Sequence, residues 1–225
     1  MDSVKSPPVR RPYRSPQRAA GARRTRRAIV VAATELFAEH GFAATSLAQI
    51  AAAAGVARPT VFAAFGSKAG LLREVLEQSL AGDDELIPVA ERPWFRPVWE
   101  ATTQHAVLDS YAQVCARIGS RAGRMFEVVR RATDDSPDMT VLWETLQTNR
   151  RAGAGMVVEQ MLSLGRLPSG VDRDRATDVV WMFNDPGHYE TLVRECGWTE
   201  ASYSAWLAGQ LKQGLLTAPG SASGR

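Results

Sequence analysis

The sequence predicts an all-α fold: an N-terminal three-helix helix-turn-helix domain, joined through a fourth helix to a larger helical domain. Three observations carry that expectation. From Ile29 almost to the C-terminus, apolar residues recur three and four positions apart. Apolar and polar residues nowhere alternate long enough to make a strand. Serine and glycine signals between Arg23 and Leu80 are so closely set that four helices must share about sixty residues.

The chain has 225 residues, 45% of them apolar, enough for a real core in one ordinary domain plus a small second one. Its two cysteines, Cys115 and Cys196, are too few and too far apart for a disulfide framework or a four-ligand zinc site. A reducing, cytoplasmic setting is therefore expected. The longest uncharged stretch, Gly41 to Ala57, carries Thr45, Ser46 and Gln49 and would partition poorly into lipid, so no membrane span is expected. No apolar run stands behind the N-terminal basic residues before Ala28, so an ordinary secretory signal is not expected either. Charge is lopsided. Met1 to Arg27 hold nine Lys or Arg against Asp2, a local +8 on a chain of net +3, which leaves a slightly acidic body. Such an arm either touches a polyanion or stays solvated.

Each element has its own signal. Residues 1–22, with Pro7, Pro8, Pro12 and Pro16 among Arg and Ser, read as a disordered basic tail. A first helix begins near Arg23, carries Ile29, Ala33, Leu36, Phe37 and His40 on one face, and stops at Gly41. Ser46 and Gln49 form a capping box for a second helix, which turns Leu47, Ile50, Ala51 and Ala54 inward and ends at Gly55. A third helix spans Arg58 to Phe65, with Pro59 tolerated in its first turn and Val61 and Phe65 inward. Gly66 ends it, and Ser67 caps a fourth helix striped with Leu71, Leu72, Val75, Leu76 and Leu80. After an irregular stretch containing Pro88, Pro93 and Pro97, helices are expected near 100–119, 121–133, 138–164, 173–184, 187–196 and 199–216. The division that follows is a tail at 1–22, a helix-turn-helix domain at 23–67, a regulatory and dimerisation domain at 68–217 and a second disordered tail at 218–225.

Two helices joined by a short Gly-containing turn and braced by a preceding helix can lay one helix in a major groove about 12 Å wide. A generic helical corner gives the same local pattern. The flanking residues add to it: TELFAEHGFAATSLAQIAAAAGVARPTVFAAFGSKAGLL, within Thr25 to Leu76, resembles the DNA-binding domain of the TetR family of repressors. Gly41-Phe42, Thr45-Ser46, Ile50-Ala51, Ala54-Gly55-Val56, Thr60, Phe65 and Lys68 carry the resemblance, over about a quarter of the chain. It implies that the Arg58–Phe65 helix is the recognition helix.

The DNA-binding residues expected on that basis are Arg27, Thr45, Ser46, Ala57, Arg58, Pro59, Thr60, Phe62 and Lys68. Arg58 and Thr60 have the reach for base edges or phosphates. Thr45 and Ser46 lie where similar domains touch backbone. Lys68, in a first helical turn where the dipole disfavours a cation, would be accommodated by a phosphate at that terminus; the alternative is a solvated lysine. Three positions depart from the family, with Phe62 at a common Tyr, Ala64 at a common His and Ala57 at a common Ser, so phosphate donors are missing. Arg23, Arg24, Arg26 and Arg27 are expected to replace them at the backbone or an adjacent minor groove.

One recognition helix reads too few base pairs to pick out an operator, so a homodimer is expected. Similar proteins pair through their last two long helices, which places Val180, Phe183, Tyr203, Trp206, Leu207, Leu211 and Leu215 at the interface. Gly209 and Gly214 would permit close helix approach. Family members usually enclose an effector pocket, and the candidate wall residues here are Trp99, His105, Tyr111, Phe126, Trp143, Trp181 and Asn184; each aromatic is otherwise ordinary core. Arg117, Arg121 and Arg124 share one helical face, either solvated surface or an acidic-ligand site. His40, His105 and His188 lack metal spacing, and no nucleophile elbow or phosphate loop appears, so neither enzyme, metal nor cofactor is expected. The expected partners are double-stranded DNA, a second copy of the chain and a small lipophilic effector whose binding releases an inverted-repeat operator, with no membrane. The alternatives are a regulator of the same build without an effector and a nonspecific architectural DNA binder.

Overall fold

Ser46 and Ser67 start helices as their spacing predicts. In the computed structural model, which describes residues 16–217 apart from Leu86 and Asp135, the Ser46 hydroxyl accepts from the Gln49 amide while the Gln49 side chain reaches back, and the Ser67 hydroxyl accepts from the Gly70 amide. Four helices make the N-terminal head: α1 (Pro16–Ala44), α2 (Leu47–Ala53), α3 (Arg58–Phe65) and α4 (Lys68–Ala81). α1 breaks at Gly41, whose φ of 75° is open to glycine and strained for other residues. It starts seven residues before the expected Arg23, because Pro16 suits a first turn and Gln17 to Arg24 are mostly good helix formers. Of the disordered tail expected at 1–22, residues 16–22 belong to α1, a correction, while 1–15 and the C-terminal tail expected at 218–225 lie outside the described residues.

The body comprises α5 (Arg96–Glu100), α6 (Gln104–Arg131), α7 (Pro137–Leu164), α8 (Arg173–Phe183), α9 (Pro186–Tyr189) and α10 (Glu200–Leu216). A 3₁₀ turn at Val89–Glu91 precedes α5, and a π-helical turn at Glu190–Glu195 continues α9. No strand occurs among the described residues. The helices expected at 100–119 and 121–133 are one helix. Gly119 does not break α6; it faces the packed side, where a Cβ would stand 2.5 Å from that of Tyr189. The missing side chain is what lets α9 sit on α6.

Two apolar clusters fill the molecule. Ile29, Phe37, Ile50, Val61, Leu72 and Leu76 of the head share theirs with Met125, Phe126 and Val129 of α6 and with Met139, Leu142 and Leu146 of α7. The second gathers Val107, Leu108 and Tyr111 of α6 with Val157 and Met161 of α7, Val180 of α8 and Leu207 and Leu211 of α10. The head is therefore seated on the C-terminal half of α6, and Ile118 touches both clusters. No single helix among the described residues is long and apolar enough to cross a membrane.

Candidate DNA-reading head and ligand cavity

α3 is anchored by Val61, with Ala64 and Phe65 half-buried at its end, and offers its other face. Val61 is fully buried, while Arg58, Pro59, Thr60 and Ala63 are exposed and Phe62 is 61% exposed, a large ring standing in water on the outer face. Ala57, the N-cap, contributes no side-chain cap, and Pro59 fits the first turn. A short helix with small neighbours and a bare outer face can approach a groove closely. Ser46 is exposed at the start of α2, its amide and hydroxyl both engaged in the capping box with Gln49.

Lys68 and Thr45 correct the expectation made for them. The Lys68 ammonium donates to the carbonyl oxygens of Phe42 at 2.7 Å, Thr45 at 2.9 Å and, at the limit, Ala43 at 3.5 Å, and it lies 4.2 Å from the Phe42 ring centroid. It caps the C-terminal end of α1, where unsatisfied carbonyls and the negative end of the dipole favour a cation. Its unfavourable place in α4 is thus compensated by α1 rather than by a phosphate. Partial burial lowers its pKa from the ordinary value. Thr45 is only 1% exposed, and its hydroxyl donates to the carbonyls of Gly41 at 2.7 Å and Leu36 at 3.1 Å, so its side chain closes the turn after Gly41.

The four arm arginines divide. Arg26 bonds the Ala64 carbonyl at 2.9 Å and Glu74 at 2.5 Å and stacks 4.4 Å from the Phe65 ring, tying α1 to the end of α3 and to α4. It is committed inside the head. Arg27 reaches Asp84 at 3.4 Å while staying largely in water, and Arg23 and Arg24 are exposed.

A cavity of about 500 Å³ lies under the head between α5, α6 and α7, closed at one end by the α8–α9 junction. Of the residues expected to line it, Trp99, Tyr111, Phe126 and Asn184 do. His105 is exposed in the first turn of α6, Trp143 packs against the head's cluster, and Trp181 packs in the body, its indole nitrogen buried without a partner. Those three belong to surface and core because their helical phase turns them from the cavity. Phe95 and Trp99 stack at 4.9 Å between centroids, with Tyr111 6.2 Å from Phe95. Leu80 of α4 and Val89 of the following turn complete the wall, so the helix that leaves α3 ends against this space.

The cavity's polar side depends on Arg150, which composition and motifs do not single out. Its Nε and Nη2 donate to the Asn184 Oδ1 at 3.1 and 2.9 Å, Nη2 also to the Trp181 carbonyl at 3.0 Å and Nη1 to Gln147 at 2.6 Å, while Asp185 sits 3.2 Å away. Asn184 in turn donates to the Tyr111 hydroxyl at 2.9 Å. The available signal was helical phase: Arg150 stands midway between Leu146 and Ala154 on the buried stripe of α7. Burial raises the Tyr111 phenol well above its ordinary range and pushes the Cys115 thiol beside it up to about 12, so both stay neutral.

A profile of the family described as "Bacterial regulatory proteins, tetR family" matches residues 29–75, the whole of the head from the middle of α1 into α4. The chain is 31% identical over 147 residues to the HTH-type transcriptional repressor ComR of Escherichia coli (strain K12), covering 62% of this chain and 66%, just under two thirds, of ComR. The head, at residues 29–75, matches the TetR family, and the chain is similar to members of that family over a longer stretch. Solved structures share the fold: NalD, the secondary repressor of the MexAB-OprM multidrug efflux pump in Pseudomonas aeruginosa, superposes with a TM-score of 0.63 at 23% identity over 87% of this chain and 98% of its own. The transcriptional regulator FadR of Bacillus subtilis, in complex with stearoyl-CoA, gives 0.65 at 16% identity over 84% and 98%. TetR-family proteins are regulators and not enzymes, in agreement with the expectation from motifs.

Within the body, the residues expected at a dimer surface separate into two sets. Val180, Tyr203, Leu207, Leu211 and Leu215 are buried in the protomer's own core, and that part of the expectation is corrected: an apolar stripe on α8 or α10 is first consumed in seating the helix on α6. Gly214 approaches Val179 of α8, at 3.3 Å from a would-be Cβ, so its closeness is also internal. Phe183 and Trp206 are half-buried, meet edge to face at 6.3 Å and sit beside exposed Trp198 and Met182, the latter 54% exposed. Arg117 and Arg121 lie over the Trp94 ring at 5.8 Å each, as a surface stack.

Proposed function

We propose that this chain is a TetR-family transcriptional repressor that occupies an inverted-repeat operator as a homodimer and leaves it when a small apolar molecule fills the cavity. The observation that carries this reading is α3: every residue from Arg58 to Thr60, together with Phe62, faces outward on a helix whose neighbours are small. Arg58 can take guanine bidentately, Thr60 a base edge or phosphate, and the Phe62 ring suits a thymine methyl. Ser46, Ala57 and Pro59 would meet phosphates through the starts of α2 and α3, with Arg27, Arg23 and Arg24 beside the duplex.

Pairing through the α8–α10 side, centred on Met182, Phe183, Trp198 and Trp206, would set two such heads against one face of DNA. Because α4 runs from the reading head to the cavity wall at Leu80, a molecule that favours a different placement of α4 changes the distance between heads. NalD, which shares the fold, is a repressor of an efflux pump, and FadR was solved in complex with stearoyl-CoA; together with the cavity between α5, α6 and α7, these support an effector here.

Selection from a random duplex library at two salt concentrations tests the proposal. The expected product is a two-fold symmetric sequence whose affinity falls steeply with salt. Equal affinity for selected and random duplexes would mean a nonspecific binder and end this reading.

A further inference from the structure

We infer that the cavity selects uncharged, largely aromatic molecules carrying one oxygen acceptor, and that the Tyr111 hydroxyl is the group that reads this acceptor. The inference rests on the effector reading above and specifies its chemistry. It follows from where the buried proton donors of the wall are already spent, Asn149 of the same lining being exposed to solvent. Trp99 gives its indole N–H to the Ala90 carbonyl at 2.7 Å. Arg150 commits Nε, Nη1 and Nη2 to Asn184, Gln147 and the Trp181 carbonyl, and its charge is matched by Asp185. Asn184 spends its amide hydrogens on Tyr111 at 2.9 Å and the Arg150 carbonyl at 3.3 Å.

Tyr111 is different. Its oxygen accepts from Asn184, and among the described residues no strong acceptor takes its own proton, the Cys115 thiol beside it being a weak one. A ligand carbonyl or ether exchanges that weak contact for a strong one at little cost, and the donating Asn184 polarises the hydroxyl further. The ring pair of Phe95 and Trp99 beside it forms a flat apolar side suited to a planar group. An acid is disfavoured on the same grounds. No cationic donor in the wall is uncommitted, Asn184 already occupies the Nε–Nη2 fork of Arg150 with Asp185 3.2 Å from its Nη1, and a buried second anion next to it lacks a partner.

Three probes of one ring system separate the terms: naphthalene, 2-acetylnaphthalene and 2-naphthoate, titrated calorimetrically against the full-length protein without DNA. The ketone is expected to bind tightest and the carboxylate weakest. Tyr111→Phe should weaken the ketone by about fivefold, the scale of one net hydrogen bond, and leave naphthalene within twofold. Preference for the carboxylate would overturn the inference, since Arg150 would then be acting as an anion clamp. A parallel fall of ketone and hydrocarbon in Tyr111→Phe would overturn it too, as would no binding by any of the three. Release of operator duplex is measured separately: ketone preference without release supports this inference while refuting the effector reading.

Discussion

At the scale of single residues, the head spends its cations inward. Lys68 is an α1 cap and Arg26 a tie between three helices, so neither is available to count among phosphate contacts in this arrangement. Lys68→Gln is expected to lower stability by about 1–3 kcal/mol through unsatisfied carbonyls, with the salt slope of operator binding unchanged. A slope reduced by about one unit would restore the phosphate role. Arg23→Ala with Arg24→Ala should instead flatten the slope and leave the melting temperature alone, as measured by titrations at several salt concentrations beside thermal unfolding. What was legible at this scale was type and not direction. Ser46, Ser67 and Val61 stand where local rules place them, because caps and helical phase are set within four residues. Thr45 and Lys68 turned out otherwise, and Arg150 drew no expectation at all, because their partners lie on other turns or other helices, 34 residues away for Arg150 and Asn184.

Elements were legible where a stop signal acted locally and were misread where packing overrode one. Gly41, Gly55 and Gly66 end or break helices with positive φ, as the spacing predicts. Gly119 and Ser120 do not end α6, since the contact with α9 that requires the glycine forms only once the chain has folded. Gly119→Ala weighs two effects. Helix propensity would gain at most about 1 kcal/mol, but the new methyl meets the Tyr189 side chain, an overpacking worth about 1–3 kcal/mol. A lower melting temperature is the expected outcome, and an unchanged or higher one would show that α9 yields. The loop after α4 carries its own pH dependence. Asp83 accepts from the Glu85 amide and from Arg92, whose guanidinium is 3% exposed, and these contacts hold its pKa below the usual carboxylate value. A depressed acid stabilises above its unfolded pKa and ceases to do so as pH falls through the folded one. Acid unfolding of the wild type should therefore lose, below the ordinary carboxylate range, a contribution absent from Asp83→Asn at every pH; parallel acid curves would contradict it.

For the whole molecule, the all-helical architecture and its N-terminal head could be read from periodicity and from the motif, whereas the surface left over for a partner could not. Five of the seven residues expected there serve the protomer's interior, and only the assembled helices show that Phe183 and Trp206, with Met182 and Trp198, remain on the outside. Met182→Glu places a charge on that patch without touching the core. Sedimentation is expected to shift from dimer to monomer, with operator affinity falling by at least tenfold as the two heads lose their linkage. A dimer unaffected by that change would move the interface elsewhere.

Nearly half the lining around the head's buried side chains is contributed by α6 and α7, which continue without a joint into the second cluster. Calorimetry should accordingly trace one cooperative melting event, and a fragment cut after Phe65 would lack the wall that keeps its three helices in register.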